Sequence, residues 1–153
     1  MEKNLKIKER LYSQCSDFID VRFQTIQNTI SEIQESLLSE TKSSAGDKHE
    51  TGRAMLQLER EKAGNQLAEI QKTKEVLSKI DITKSLKTTG LGSVVYTTNA
   101  NYFIAISAGQ LEVDNNKFYA ISNQTPIAKL LLGKHVDDTF NFRNEVYKII
   151  ELI

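Results

Sequence analysis

The sequence predicts an α+β protein: an N-terminal antiparallel two-helix coiled coil followed by a small antiparallel sheet domain with one short helix. Three observations carry that prediction. From Asn4 to Ser39 there is neither Pro nor Gly, and apolar residues recur at alternating spacings of four and three. A second run with the same spacing follows a short polar break. Beyond Gly92, β-branched and aromatic residues collect in short runs separated by turn residues.

In the first run Ile19, Phe23, Ile26, Ile30, Ile33 and Leu37 form a seam wanting one partner helix, while Leu11, Cys15 and Phe18 lie on a slightly shifted stripe. At 1.5 Å per residue such a helix is roughly 50 Å long. The pattern stops in the small, polar run from Ser39 to Gly46, short enough for the next helix to fold back on the first. Helical spacing resumes after Asp47 and lasts to about Ile80. Here Leu56, Ala63, Leu67, Ile70 and Leu77 hold the register and Arg60 and Lys74 interrupt it. Residues 1–82 are thus expected to form the hairpin, with an acidic tip near 43–50, and residues 83–91 a linker.

Residues 92–153 are expected to form the second domain. Val94–Thr98 and Tyr102–Ser107 read as strands flanking Asn99–Asn101, and Lys117–Ile121 as a third after the turn at Asp114–Asn116. Thr125-Pro126 signals a helix start, with Thr as N-cap and Pro at the first helical position. Ile127, Leu130 and Leu131 would face a core, and Gly133 would stop the helix. Phe140–Arg143 and Val146–Leu152 read as a final strand pair around Asn144.

Composition narrows the function. The hydrophobic share of 39% is low for a globular chain and fits an arm with little core. Lys+Arg and Asp+Glu balance at 20 each, so no overall field draws the protein to nucleic acid or anionic membrane. Cys15 is the only cysteine, which excludes an internal disulfide or a cysteine zinc cluster and suits a reducing compartment. Met1–Arg10 is charged throughout and no apolar run can span a bilayer, so the expected location is cytoplasmic, with no membrane partner.

The stretch that carries chemistry is Ala45-Gly46-Asp47-Lys48-His49-Glu50. Asp at an N-cap with Glu three residues later is an acidic capping box, in which each carboxylate satisfies a backbone N–H at the helix start. Negative charge is also favoured there by the helix dipole. The same two carboxylates could give oxygen ligands to a hard cation such as Mg2+, but two are too few for a self-sufficient site. Any metal chemistry would need a partner already holding a metal and a phosphodiester. The residue types leave both readings open.

The hairpin, this tip and the second domain together resemble the bacterial Gre transcript cleavage factors. The family's Gly-Asp-x-x-Glu tip is matched by Gly46, Asp47 and Glu50. Its Ile-Ser, Ser-Pro, Leu-Leu-Gly-Lys stretch is matched by Ile121-Ser122 and by Thr125-Pro126 through Leu131-Leu132-Gly133-Lys134, with Val136-Asp137-Asp138 in place of Val-Gly-Asp. Val146-Tyr147-Lys148-Ile149-Ile150-Glu151-Leu152 is similar to the family's ending.

The resemblance implies a transcription elongation factor and not an enzyme in its own right. Such a factor docks on RNA polymerase through an FKBP-like C-terminal domain and inserts the coiled coil into the secondary channel. Asp47 and Glu50 would share Mg2+ with the polymerase and act on the nascent RNA 3′ end of a backtracked complex, any cleavage occurring in the polymerase active centre. Docking would involve Pro126, Leu131, Gly133 and Lys134, and the protein would act as a monomer. The chain departs from the family after the acids, where Thr51-Gly52-Arg53-Ala54 replaces Asn-Ala-Glu-Tyr, and Lys48 replaces an apolar residue. Two alternatives therefore stand beside cleavage: a secondary-channel regulator without it, and a coiled-coil adaptor whose acids only cap a helix.

The remaining candidates have plainer expectations. His49 reads as a solvated loop residue and His135 as a polar-turn residue; with two distant His and one Cys, zinc is excluded. Tyr96, Tyr102, Phe103, Phe118, Tyr119, Phe140, Phe142 and Tyr147 read as core before nucleobase platform. Lys72, Lys74, Lys79, Lys84 and Lys87 read as a solvated face.

Overall fold

The computed structural model describes residues 2–42 and 46–153, and side chains outside residues 41–49. In chain order the elements are α1 (Glu2–Lys42), α2 (Gly46–Ser78), β1 (Val94–Thr97), β2 (Asn101–Ala105), β3 (Gly109–Val113), β4 (Asn116–Ser122), α3 (Pro126–Leu131), β5 (Thr139–Phe142) and β6 (Glu145–Leu152). The α+β class is the predicted one. The turn-forming run expected from Ser39 to Gly46 is shorter than read: α1 continues to Lys42 and α2 already begins at Gly46, while residues 43–45 lie outside the described residues.

The chain falls into two compact units. One is residues 19–74; the other joins residues 1–18 to residues 75–153. In the first, Ile26, Ile30, Ile33 and Ala63 are buried, with Leu37, Leu56, Leu67 and Ile70 packed against them. Burying each large apolar side chain is worth roughly 1.5–3 kcal/mol, and this seam is what holds two otherwise polar helices together.

The helices run antiparallel, as the closing contacts require. Asp20 pairs with Lys74 at 3.4 Å, and Arg53 Nη1 donates to the Leu37 carbonyl at 3.2 Å. Lys74, which breaks the apolar register, sets its ammonium 4.2 Å from the Phe23 ring centroid. Its stem can then cover the seam while its charge is satisfied by an acid and an aromatic face.

The second unit holds a six-stranded sheet in the order β3-β4-β2-β1-β6-β5. The sheet is mixed where an antiparallel one was expected, because β2 and β4 pair in parallel, Tyr102 opposite Tyr119 and Ile104 opposite Ile121. Strand β3, unread in the sequence, makes this possible. It forms an antiparallel hairpin with β4, Leu111 opposite Phe118, and takes the edge. Asp114 and Asn115 turn that hairpin with φ of 51° and 66°, and Arg143 and Asn144 turn β5 into β6 with 51° and 67°. Two successive positive φ values match the right-handed twist of the flanking strands.

One sheet face packs Val95, Tyr102, Ile104, Phe140, Tyr147 and Ile149 against Ile127 and Leu131 of α3. Thr125 caps that helix, its hydroxyl accepting from the Ala128 N–H, and Pro126 takes the first turn. Gly133 follows at φ 81°, its N–H bonded to the Thr89 carbonyl. Phe103 and Phe118 are also fully buried.

Residues 1–18 belong to this unit through specific bonds. Arg10 Nη1 meets Asp114 Oδ1 at 2.6 Å, and Gln14 Nε2 donates to the Glu112 carbonyl at 3.0 Å. The expected linker is also fastened within the unit. Thr89 is buried, its N–H and hydroxyl both donating to the Lys134 carbonyl at 2.9 and 3.1 Å.

Candidate functional site

Gly46 is the first residue of α2, so the backbone of Asp47 lies inside the first turn and not at the cap. The helix thus starts two residues earlier than a cap at Asp47 requires: the cap position falls before Gly46, outside the described residues. What survives is the electrostatics. Both Asp47 and Glu50 occupy the start of a 33-residue helix, where unpaired N–H groups and the helix dipole favour negative charge.

Glu50 is exposed. Four residues along its helix stands Ala54, also exposed. Arg53, one of the cations expected beside the acids, has its guanidinium on the Leu37 carbonyl of α1. Its charge is thus directed at the helix-to-helix contact. The side chains of Asp47, Lys42, Lys48 and His49 lie outside the described residues.

Among the described residues no three His, Cys, Asp or Glu side chains gather as a metal site. The exposed Glu50 can provide one carboxylate; an ion held there would need most of its ligands from elsewhere.

The expected docking residues separate by burial. Leu131 is 0% exposed and packs in the sheet core, so its side chain shapes α3 and cannot itself meet a partner. Pro126 and Gly133 are exposed and Lys134 is half-buried. Around them the sequence reading missed Leu132 and Val136, exposed at 36% and 44%, and placed Leu130, exposed at 36%, in the core. The short helix explains this: with one turn and a half, Ile127, Ala128 and Leu131 already fill its buried face.

His135 is exposed, 3.0 Å from the Thr88 hydroxyl through Nε2 and 3.5 Å from Asp138 through Nδ1, a turn residue as read. Cys15 is a free thiol, fully buried, and burial pushes its pKa up to about 12, so it has no nucleophilic character near neutrality. Lys72 pairs with Glu69 at 3.5 Å, while Lys79, Lys84 and Lys87 are exposed. Among the described residues no helix is long and apolar enough to cross a membrane.

An α+β protein with a two-helix arm, an acidic helix start on that arm and a separate sheet unit is the class these features define. No protein-family model matches the chain, and no curated protein does. Among solved structures it is similar to one described as the structure of the transcription factor Gfh1, at 19% identity over 88% of this chain and 90% of that one, with a TM-score of 0.34. A likeness of that size carries no functional argument, which rests on the chain's own residues.

Proposed function

We propose that this protein is a transcription elongation factor of the Gre type. It binds RNA polymerase through the sheet unit and enters the secondary channel with its two-helix arm. There it supplies Asp47 and Glu50 to cleavage of backtracked transcripts. The observation that carries the reading is the start of α2: two acids in the first turns of a helix in the arm, the second of them exposed.

The supporting chemistry is simple. An Mg2+ shared with the polymerase would polarise the phosphodiester and the attacking water. Asp47 would hold that ion and Glu50 would orient the water, both fixed by the helix on which they stand. The narrow apolar seam buries little and leaves the rest of the arm polar, as a limb entering a hydrated channel requires. Pro126, Lys134 and the exposed apolar residues beside them offer the docking contacts.

The test is transcript cleavage by purified RNA polymerase in stalled, backtracked complexes. Wild-type protein should stimulate it, and Asp47→Asn and Glu50→Gln should each lose most of the stimulation while still competing for the channel. Competition without stimulation by wild type would leave a channel regulator lacking cleavage, the reading that Thr51-Gly52-Arg53 favours. Absence of both would leave a coiled-coil adaptor.

A further inference from the structure

At one end of the sheet Asn99, Asn101, Asn115, Asn116, Lys117 and Tyr119 surround an open cavity of about 380 Å³. The topology brings them together. Because β2 and β4 run parallel, with Tyr102 opposite Tyr119, both strands start at the same end of the sheet and the turns preceding them share it. Asn101 Nδ2 donates to the Lys117 carbonyl at 3.3 Å and ties the two strand starts.

Turn chemistry accounts for Asn115, whose φ is 66°, but Asn99, Asn101 and Asn116 have no positive φ to explain them. Asn99 is oriented by its bond to Glu145 Oε2 at 3.3 Å. Among the described residues, neither the Asn115 nor the Asn116 side chain has a hydrogen-bond partner, and the Lys117 ammonium forms no ion pair. Glu112 stands opposite Lys117 in the strand register without closing one. Tyr119 is 41% exposed, and its ring leans on Tyr102 with centroids 6.1 Å apart, so it is braced from the core side and open on the other.

We infer that this cavity binds a nucleotide unit, with the base stacked on Tyr119, its edge met by the asparagine amides and its phosphate on Lys117. An aromatic ring offers a stacking surface to any base. Each free side-chain amide presents a donor and an acceptor side by side, the complement of a base edge. The unpaired ammonium selects for a phosphate, which a neutral sugar would not need. The inference stands apart from the proposed role of the arm, since it uses none of the same residues.

The experiment is an amide chemical-shift titration of the full chain with adenosine and uridine monophosphates and, separately, a short single-stranded RNA. Shifts confined to residues 97–101 and 115–119 are expected. Tyr119→Ala should weaken binding roughly five- to hundredfold, the range for loss of one stacked base, while Tyr119→Phe keeps it. Lys117→Gln should weaken it and flatten its salt dependence. Tighter binding of RNA than of the monophosphates would identify a strand as the source, and the reverse a free nucleotide. No shift at millimolar nucleotide, or equal binding of ribose 5-phosphate, would overturn the inference. Melting curves of the variants should match the wild type, since these are surface changes.

Discussion

The ammonium of Lys8 donates to the backbone carbonyl of Lys84 at 2.7 Å, joining residues 76 apart in the chain. Lys8 is 3% exposed, and burial holds its pKa below the usual lysine value while the Asp81 carboxylate partly restores it. The bond therefore anchors the first turns of α1 to the segment after α2 at the cost of burying a charge.

Two substitutions separate those terms. Lys8→Met keeps the packing stem and sheds the buried charge, so stability should change by no more than about 1 kcal/mol. Lys8→Ala also loses the stem and should cost about 2 kcal/mol. Urea midpoints measure both, and equal losses for the two variants would show that the charge alone matters.

Alkaline pH should destabilise the protein. Burial raises the pKa of Cys15 from 9.0 to about 12, and raises those of Tyr96 and Tyr102, the latter beside the hydroxyl of Tyr147. The folded state then holds these protons more tightly than the unfolded state. Their contribution is fully present below the unfolded values and is lost as pH climbs from about 9 towards 12. Lys8, shifted down, acts in the opposite sense over the upper part of that range. Stability measured at about pH 8, 9 and 10 should fall progressively, and Cys15→Ala should flatten the first part of the decline. Alkylation of Cys15 should be at least about a hundredfold slower in the native protein than in urea.

What the sequence revealed follows from how locally each feature is determined. The Thr125-Pro126 start and Gly133 stop are decided within a few residues, and so are the Ile26, Ile30 and Ile33 seam and the Asn144 turn. All were legible. Strand β3 was not, although Leu111 and Val113 alternate with Gln110 and Glu112, because its two inward positions are few and Asp114-Asn115 was read as preceding a strand instead of joining two. The parallel pairing of β2 with β4 depends on that missing strand. The shifted stripe of Leu11 and Cys15 did carry a signal: these residues belong to the unit that contains the sheet, whereas Ile26 to Leu37 pack on α2. At the tip, the spacing of Asp47 and Glu50 was legible, but a two-residue change in helix start moved the cap away from Asp47.

Gly92 and Gly133 should respond differently to alanine. Both have positive φ, 92° and 81°, where a Cβ costs about 1 kcal/mol or more. At Gly92 the added carbon would also stand 3.0 Å from Ile80 Cγ2, in a segment whose N–H bonds the Ile104 carbonyl at 2.7 Å. At Gly133 it would meet nothing within 4 Å. Gly133→Ala should therefore cost about 1 kcal/mol and Gly92→Ala about 2–3 kcal/mol, read from thermal or urea unfolding. The reverse order would mean that Ile80 yields freely.

Gly52 tests whether the arm near its acidic helix start is held loosely by composition alone. It lies inside α2, where glycine is about 1 kcal/mol worse than alanine. An added Cβ would sit 3.7 Å from the Glu40 carboxylate of α1, ordinary van der Waals contact, so space does not oppose the change. Gly52→Ala should then stabilise this end of the hairpin and slow hydrogen exchange of the neighbouring α2 amides about fivefold, the equivalent of 1 kcal/mol of local opening. Exchange in the sheet unit should not change. Faster exchange near residue 52 would show that Glu40 uses the space glycine leaves. Because neither Asp47 nor Glu50 is altered, the same variant should match the wild type in the transcript-cleavage assay of the proposed function, separating stiffness of the arm from the chemistry of its acids.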